Sequence, residues 1–253
     1  MRFASLGSGS RGNATLVQHG DTCVLVDCGF TLRETETRLA RLGVDGNTLD
    51  AVLVTHEHGD HIRGVGPLAR KFGVPVYLTH GTYRQSRIGQ VQDLIKINSH
   101  DSFTVKGLQV QPVPVPHDAS EPCQFIFSNG AKKLGVLTDL GSITPFVQQS
   151  YDGLDALLLE CNHDAEMLEK GPYPYSLKRR IGGDYGHLSN FQAAGLLREI
   201  GVGQLQHLVI SHISEQNNCA ELAVTAVADA LGCHQNWLTV ADQQLGVDWR
   251  SLS

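Results

Sequence analysis

The chain lacks a run of about 18 consecutive apolar residues, so no segment reads as a membrane-spanning helix. Its first residues, Met1 to Gly7, lack the apolar core of an export signal, and a cytoplasmic location is expected. There is no C-x-x-C pair; the six cysteines (Cys23, Cys28, Cys123, Cys161, Cys219 and Cys233) are scattered, mostly beside apolar runs, and read as reduced core residues. Positive charge is not in excess. The formal net charge of −6 argues against a general nucleic-acid coat while leaving room for a local basic cleft. No linker, repeat or low-complexity stretch interrupts the 253 residues, and with 41% hydrophobic residues the whole chain, 1–253, reads as one domain with a sizeable core.

What the chain does have is a concentration of metal-ligand residue types. His56, His58, Asp60 and His61 fall within six residues, directly after the apolar run Ala51-Val52-Leu53-Val54-Thr55. Histidine tracts that trap metal by accident do not follow a buried strand and do not include an ordered Asp. The spacing cannot put all three imidazoles on one helix face, so a loop is expected to present them, with Gly59 permitting a sharp bend.

Three more candidate ligands stand just past apolar strands. His117 follows Val110–Pro116, whose prolines predict an edge or terminal strand. Asp139 follows Leu134–Thr138, and His212 follows Leu208–Ser211. Singly, each is more often structural; together with the first cluster they make four strands that end in ligands. Asp27, at the end of Val24-Leu25-Val26, is expected to hold the metal loop from behind by accepting backbone N–H bonds.

Strands are predicted at 3–6, 14–18, 22–27, 51–55, 75–78, 108–115, 124–127, 133–138, 156–160, 205–211 and 237–240. Four helices carry punctuation. Thr31 and Glu34 form a capping box before a helix ending at Gly43. A second follows His61 through Ile62, Val65, Leu68, Ala69 and Phe72 to Gly73. Ser189 and Gln192 open a third with Phe191, Ala194, Leu197 and Ile200 inside, and Asn218 caps a fourth that stops at Gly232. Early hairpins followed by strands alternating with helices suit an α/β αββα sandwich, two mixed sheets face to face with outer helices.

The segment His56 to His61 is the H-x-H-x-D-H signature of the metallo-β-lactamase fold. In such a site His56, His58 and His117 are expected to hold one divalent ion and Asp60, His61 and His212 a second, with Asp139 bridging. The ligand types accept zinc, manganese or iron. A hydroxide shared by two ions is expected to act as nucleophile in hydrolysis of a phosphodiester, ester, lactone or amide. His187, in a glycine-flanked loop just before the Ser189 cap, is the candidate general acid. Glu160 is the candidate to orient it, and Asp60 is counted as catalytic besides being a ligand. Lys178, Arg179 and Arg180 form a compact cationic run beside Tyr173 and Tyr175, a candidate phosphate-backbone contact with His163 as a further substrate-binding candidate.

Nearly the full length resembles the YycJ-like (WalJ-like) branch of the metallo-β-lactamase superfamily. The matching motifs are Gly7-Ser8-Gly9-Ser10-Arg11-Gly12-Asn13, Thr55 to His61, Thr138-Asp139, Glu160 to Asp164, Gly186 to Asn190, Ser211 to Ser214 and Asn217-Asn218. The resemblance implies a metal-dependent 5′-to-3′ DNA exonuclease acting on DNA ends. Neighbouring branches fit less well. The interval from Asp139 to His212 is too short for a β-CASP insertion, and there is no arm like that of the tRNA-processing enzymes, no glyoxalase-type extension and no lactamase-type signal peptide. The alternative is a small-molecule phosphodiester or lactone hydrolase of the same fold. A non-catalytic protein would have lost ligands, and a redox di-iron role would need a flavin partner.

Overall fold

The computed structural model describes all 253 residues. Its strands make two seven-stranded mixed sheets with helices, as the order of elements predicts. Contacts divide the chain into two units: Met1–Pro114, Ala119–Lys132 and Asp242–Ser253, and then Val115–Asp118 with Lys133–Ala241.

In the first unit, β1 (Arg2–Gly7), β2 (Ala14–His19) and β3 (Thr22–Val26) form an antiparallel meander. The β2–β3 turn is two residues long and uses Gly20 at φ 56°, the left-handed conformation a tight hairpin needs. β3 is buried along its whole length and pairs in parallel with β4 (Ala51–Leu53), which continues to β5 (Val76–Thr79) and β6 (Leu94–Ile97). β7 (Phe103–Val105), β8 (Leu108–Pro114) and β9 (Cys123–Ser128) form a second antiparallel set. β7 pairs only with Leu108–Val110, so Pro112 and Pro114 lie where β8 has no partner on that side. This is how a strand with two neighbours tolerates prolines.

Helix α1 (Leu32–Arg41) starts at the expected Thr31–Glu34 capping box. The single helix expected after His61 is two: α2 (Gly59–Ile62) and α3 (Val65–Phe72), separated at Arg63–Gly64. Gly73 ends α3 at φ 65° as expected. Gly59 is not a bend residue. It is the first helical residue of α2, with a helical backbone and open space where a Cβ would stand. Its neighbours Asp60 and His61 therefore sit on a helical turn, while His58 precedes it as the N-cap in extended backbone. α4 (His80–Gln85) follows β5.

The second unit contains β10 (Lys133–Leu137), β11 (Ala156–Glu160), β12 (His207–Ser211) and β13 (Thr239–Val240), all parallel. α5 (Pro145–Ser150), α6 (Ala165–Lys170), α7 (Tyr175–Ile181), α8 (Asn190–Glu199) and α9 (Ala220–Leu231) link them. Parallel strands covered on both faces read as continuous apolar runs, and β11, Ala-Leu-Leu-Leu-Glu, is buried throughout. α8 keeps the Ser189–Gln192 capping box, but Phe191 is 75% exposed rather than inside. The N-cap of α9 falls one residue later than expected, at Cys219, which makes no side-chain cap bond. Asn218 is drawn away from capping by Asn190 and the Cys161 carbonyl, both 2.8 Å from its Nδ2. The last strand, β14 (Val247–Ser251), returns to pair with β1 in the first unit.

Candidate metal centre

In the first unit, β3 and β4 run in parallel and end side by side, and this aligns Asp27 with Thr55. Asp27 Oδ1 accepts the Thr55 backbone N–H and Oδ2 accepts the Thr55 hydroxyl, both at 2.8 Å. The hydroxyl proton is thereby used, so Thr55 Oγ1 accepts from His56 Nδ1 at 2.9 Å. The other imidazole, His61, donates Nδ1–H to Asp27 Oδ2 at 2.8 Å. One buried carboxylate thus fixes two imidazoles, and each is left with Nε2 as its remaining nitrogen, the tautomer that metal-binding histidines use. The rings of His56 and His58 are 4.6 Å apart and those of His56 and His61 4.2 Å. Burial pushes the Asp27 carboxyl upward, and His61 and Thr55 pull against it.

The ligand loop is clamped from two sides. Cys28 N–H bonds the His61 carbonyl at 2.8 Å, and Asn13 N–H bonds the Asp60 carbonyl at 2.8 Å. A Cβ on Gly29 would lie 1.7 Å from the Asp60 carbonyl oxygen, so only glycine allows this approach. The Asn13 amide accepts from Gly9 N–H at 2.8 Å and brings its Nδ2 to 3.0 Å from His61 Nε2. Asn13 thus belongs to the site, although only motif resemblance pointed to it.

The second unit assembles its own group. His117 Nδ1 donates to the Gly186 carbonyl at 2.9 Å. Glu160, at 0% exposure, takes His187 Nδ1 at 2.7 Å and His212 Nδ1 at 3.0 Å on Oε1; its Oε2 accepts Leu188 N–H at 3.0 Å and Leu140 N–H at 3.2 Å. Burial alone would raise this carboxyl, but the two imidazoles overcome it and bring it down to about 2. For His187 burial disfavours the charged ring, yet Glu160 wins and its pKa rises. Burial dominates at His117 and lowers it. The rings of His187 and His212 are 5.2 Å apart, as are those of His117 and His187, and His212 Nδ1 lies 3.2 Å from Asp139 Oδ1. Asp139, Glu160, His187 and His212 form a group with metal-ligating spacing.

Backbone strain marks the same residues. Four non-glycine residues have positive φ, and three are strand-end site candidates: Asp27 at 59°, Asp139 at 52° and His212 at 53°. Each costs about 1–3 kcal/mol and persists only where surrounding structure enforces it. Gly141 supports the second group by close approach, since a Cβ there would fall 2.3 Å from Gly186 N.

The substrate-binding candidates fare differently. Arg180 is paired with Asp118, and Lys178 Nζ donates to the Glu169 carbonyl at 2.6 Å. Arg179 and Arg180 are both exposed, and Arg179 is the member of the run with neither engagement. His163 is 4% exposed; its carbonyl accepts Asn190 N–H at 2.9 Å, and its backbone bridges to Ser189. No helix is long and apolar enough to cross a membrane.

Imidazoles with fixed tautomers, carboxylates and few cations suit divalent metal ions, and the fold around them is that of the metallo-β-lactamase hydrolases. Residues 22–213 match the beta-lactamase superfamily domain. The chain is 37% identical to exodeoxyribonuclease YycJ of Bacillus anthracis over 235 residues, 91% of this chain and 89% of that one. It is 33% identical to exodeoxyribonuclease WalJ of Streptococcus pneumoniae over 256 residues, 98% and 92% of the two chains. The crystal structure of the metallo-beta-lactamase fold protein YhfI from Bacillus subtilis superposes with a TM-score of 0.77 over 99% of both chains at 17% identity, a likeness of fold. The chain belongs to the YycJ-like (WalJ-like) branch of the metallo-β-lactamase-fold hydrolases and is a metal-dependent hydrolase.

Proposed function

We propose that the protein is a dinuclear phosphodiesterase that degrades DNA from its ends, 5′ to 3′, with residues 1–253 acting as one catalytic domain in the cytoplasm. The observation that carries the chemistry is the Glu160 carboxylate shared by His187 and His212. The names of the YycJ and WalJ relatives support DNA as substrate, the branch resemblance supports the direction, and four buried free thiols accord with a reducing compartment.

In this reading His56, His58 and His117 hold one ion, Asp60, His61 and His212 the other, and Asp139 bridges. Zinc or manganese suits these donors, and iron is compatible with them. When bound, two such ions supply Lewis acidity and bring the pKa of water toward neutrality. The chain's own residues do the rest. Asp27 and Thr55 hold the tautomers of His56 and His61, the Gly186 carbonyl that of His117, and Glu160 that of His212. His187, whose charged form Glu160 favours, is half-buried and gives its proton to the leaving oxygen of the strand. Arg179, with Lys178 and Arg180, meets the phosphate backbone, and His163 is a further substrate-binding residue.

End-labelled single-stranded and duplex DNA, incubated with metal-loaded protein, tests the reading. Stepwise release of mononucleotides from one end is expected. Inertness toward nucleic acid with turnover of a small ester or lactone would replace it with a small-molecule hydrolase.

A further inference from the structure

We infer that Tyr185 and Phe191 form a stacking platform for the unpaired bases of a DNA end held at His187. This rests on the DNA reading above. The first observation is exposure: Tyr185 is 66% and Phe191 75% exposed. A phenylalanine left in water forgoes the free energy of burying its ring. This one stands on the first turn of α8, where the apolar periodicity would have turned it inward.

The second observation is placement. Tyr185 sits in a turn closed by Gly186 N–H on the Gly183 carbonyl at 2.8 Å, and the next carbonyl, of Gly186, orients His117. Two peptide steps separate Tyr185 from His187, so their Cα atoms are at most about 7 Å apart. Phe191 follows His187 by four residues. The backbone between is pinned by His187 N–H to the Ile181 carbonyl at 2.8 Å and Asn190 N–H to the His163 carbonyl at 2.9 Å. Both side chains are thus carried on fixed backbone, two residues before and four after the proposed acid in the chain.

The kind of side chain selects the occupant. Between Lys133 and Phe191 the exposed large hydrophobics are Phe146, Tyr175, Tyr185 and Phe191, all aromatic. The exposed aliphatics Ile95, Leu222 and Leu245 lie elsewhere in the chain. A protein-docking face would mix the two kinds; flat rings alone suit the faces of nucleobases whatever their identity. From Tyr175 to Phe191 the chain carries Lys178, Arg179 and Arg180; Arg180 is paired with Asp118, which leaves Lys178 and Arg179 against the single carboxylate of Asp184, in a chain of net charge −6. The local sign therefore suits a polyanion. Paired bases already stack on one another and offer a free face only at an end, so the platform favours single-stranded or frayed termini.

The test uses the full chain and a short single strand carrying 2-aminopurine near its 5′ end, beside the same strand with abasic residues at the terminal positions. The wild-type protein is expected to quench the probe and to bind the base-bearing strand roughly tenfold more tightly per stacked base. Tyr185→Ala with Phe191→Ala should bind both strands alike without quenching, and Phe191→Trp should keep the preference. Circular dichroism confirms that the variants are folded. An unchanged preference in the double variant, or none in the wild type, overturns the inference. If wild-type protein cuts DNA but shows no preference, stacking falls and the exonuclease reading stands. If it quenches and discriminates but never cuts, stacking stands and the exonuclease reading falls.

Discussion

Replacing Glu160 by Gln keeps the side chain's size and removes its charge, and the structure says what must then fail. The carboxylate accepts from four donors at once, two imidazole N–H and two backbone N–H. An amide has one oxygen. If that oxygen stays with Leu140 and Leu188, the amide NH2 faces His187 and His212, and each ring must move its proton from Nδ1 to Nε2. His212 then offers no lone pair at Nε2 for an ion, and His187 loses the counter-charge that holds it protonated. If the amide flips, the two backbone N–H groups lose their acceptor, at about 1–3 kcal/mol for each buried donor left unpaired. Glu160→Gln should therefore lower the melting temperature, reduce metal content and cut kcat on DNA by roughly 10²–10⁴. The pH profile gives the sign. Glu160 raises the His187 pKa, so the acid form persists to higher pH in the wild type, and the alkaline limb of kcat should move to lower pH in the variant. His187→Ala separates the roles: it should keep the metals and lose a similar factor on DNA, but much less on a nitrophenyl phosphodiester, whose leaving group needs no proton. Wild-type kcat and an unmoved alkaline limb in Glu160→Gln would refute the reasoning.

Asp60→Ala and Asp139→Ala should each give a folded protein by circular dichroism that holds less metal and has almost no activity; full metal content with normal turnover in either would remove it from the ligand set. Arg179→Ala should flatten the log–log salt dependence of DNA binding by about one unit, and Lys178→Ala and Arg180→Ala by less, because their head groups already have partners; a slope unchanged from wild type in the triple variant would mean a merely solvated run. In native protein a thiol reagent should titrate Cys219 and Cys233 alone. Burial raises the Cys23 thiol to about 11 and that of Cys28 to about 12 and pushes Cys123 and Cys161 further, so all six should react only after unfolding.

Elements whose punctuation is local were legible in the sequence. The capping boxes at Thr31 and Ser189 and the stops at Gly73 and Gly232 stand where residue chemistry put them. The apolar runs ending at Thr55, Asp139 and His212 are strands or their direct continuations for the same reason. Short pieces escaped. α7 has Pro174 at its cap with no side-chain bond, β6 and β7 are short strands with exposed positions, and β14 pairs with β1 from the other end of the chain. Asn218 reads as a cap until the distant Asn190 claims it. The candidate site shows the same division. Ligand types are visible one by one, but the sharing of Glu160 between His187 and His212, the tie from Asn13 to the Asp60 loop and the positive φ at three strand ends are products of tertiary structure. The exposure of Phe191 contradicts its own helical periodicity.

The most direct test of the central claim strips the protein with a chelator, returns zinc or manganese in measured equivalents, and follows release of label from a 5′-labelled DNA strand alongside metal content. The account predicts no release without metal, full activity only as the second equivalent binds, and label appearing first as the mononucleotide. Full activity at one equivalent or none, or label retained on long fragments throughout, would contradict it.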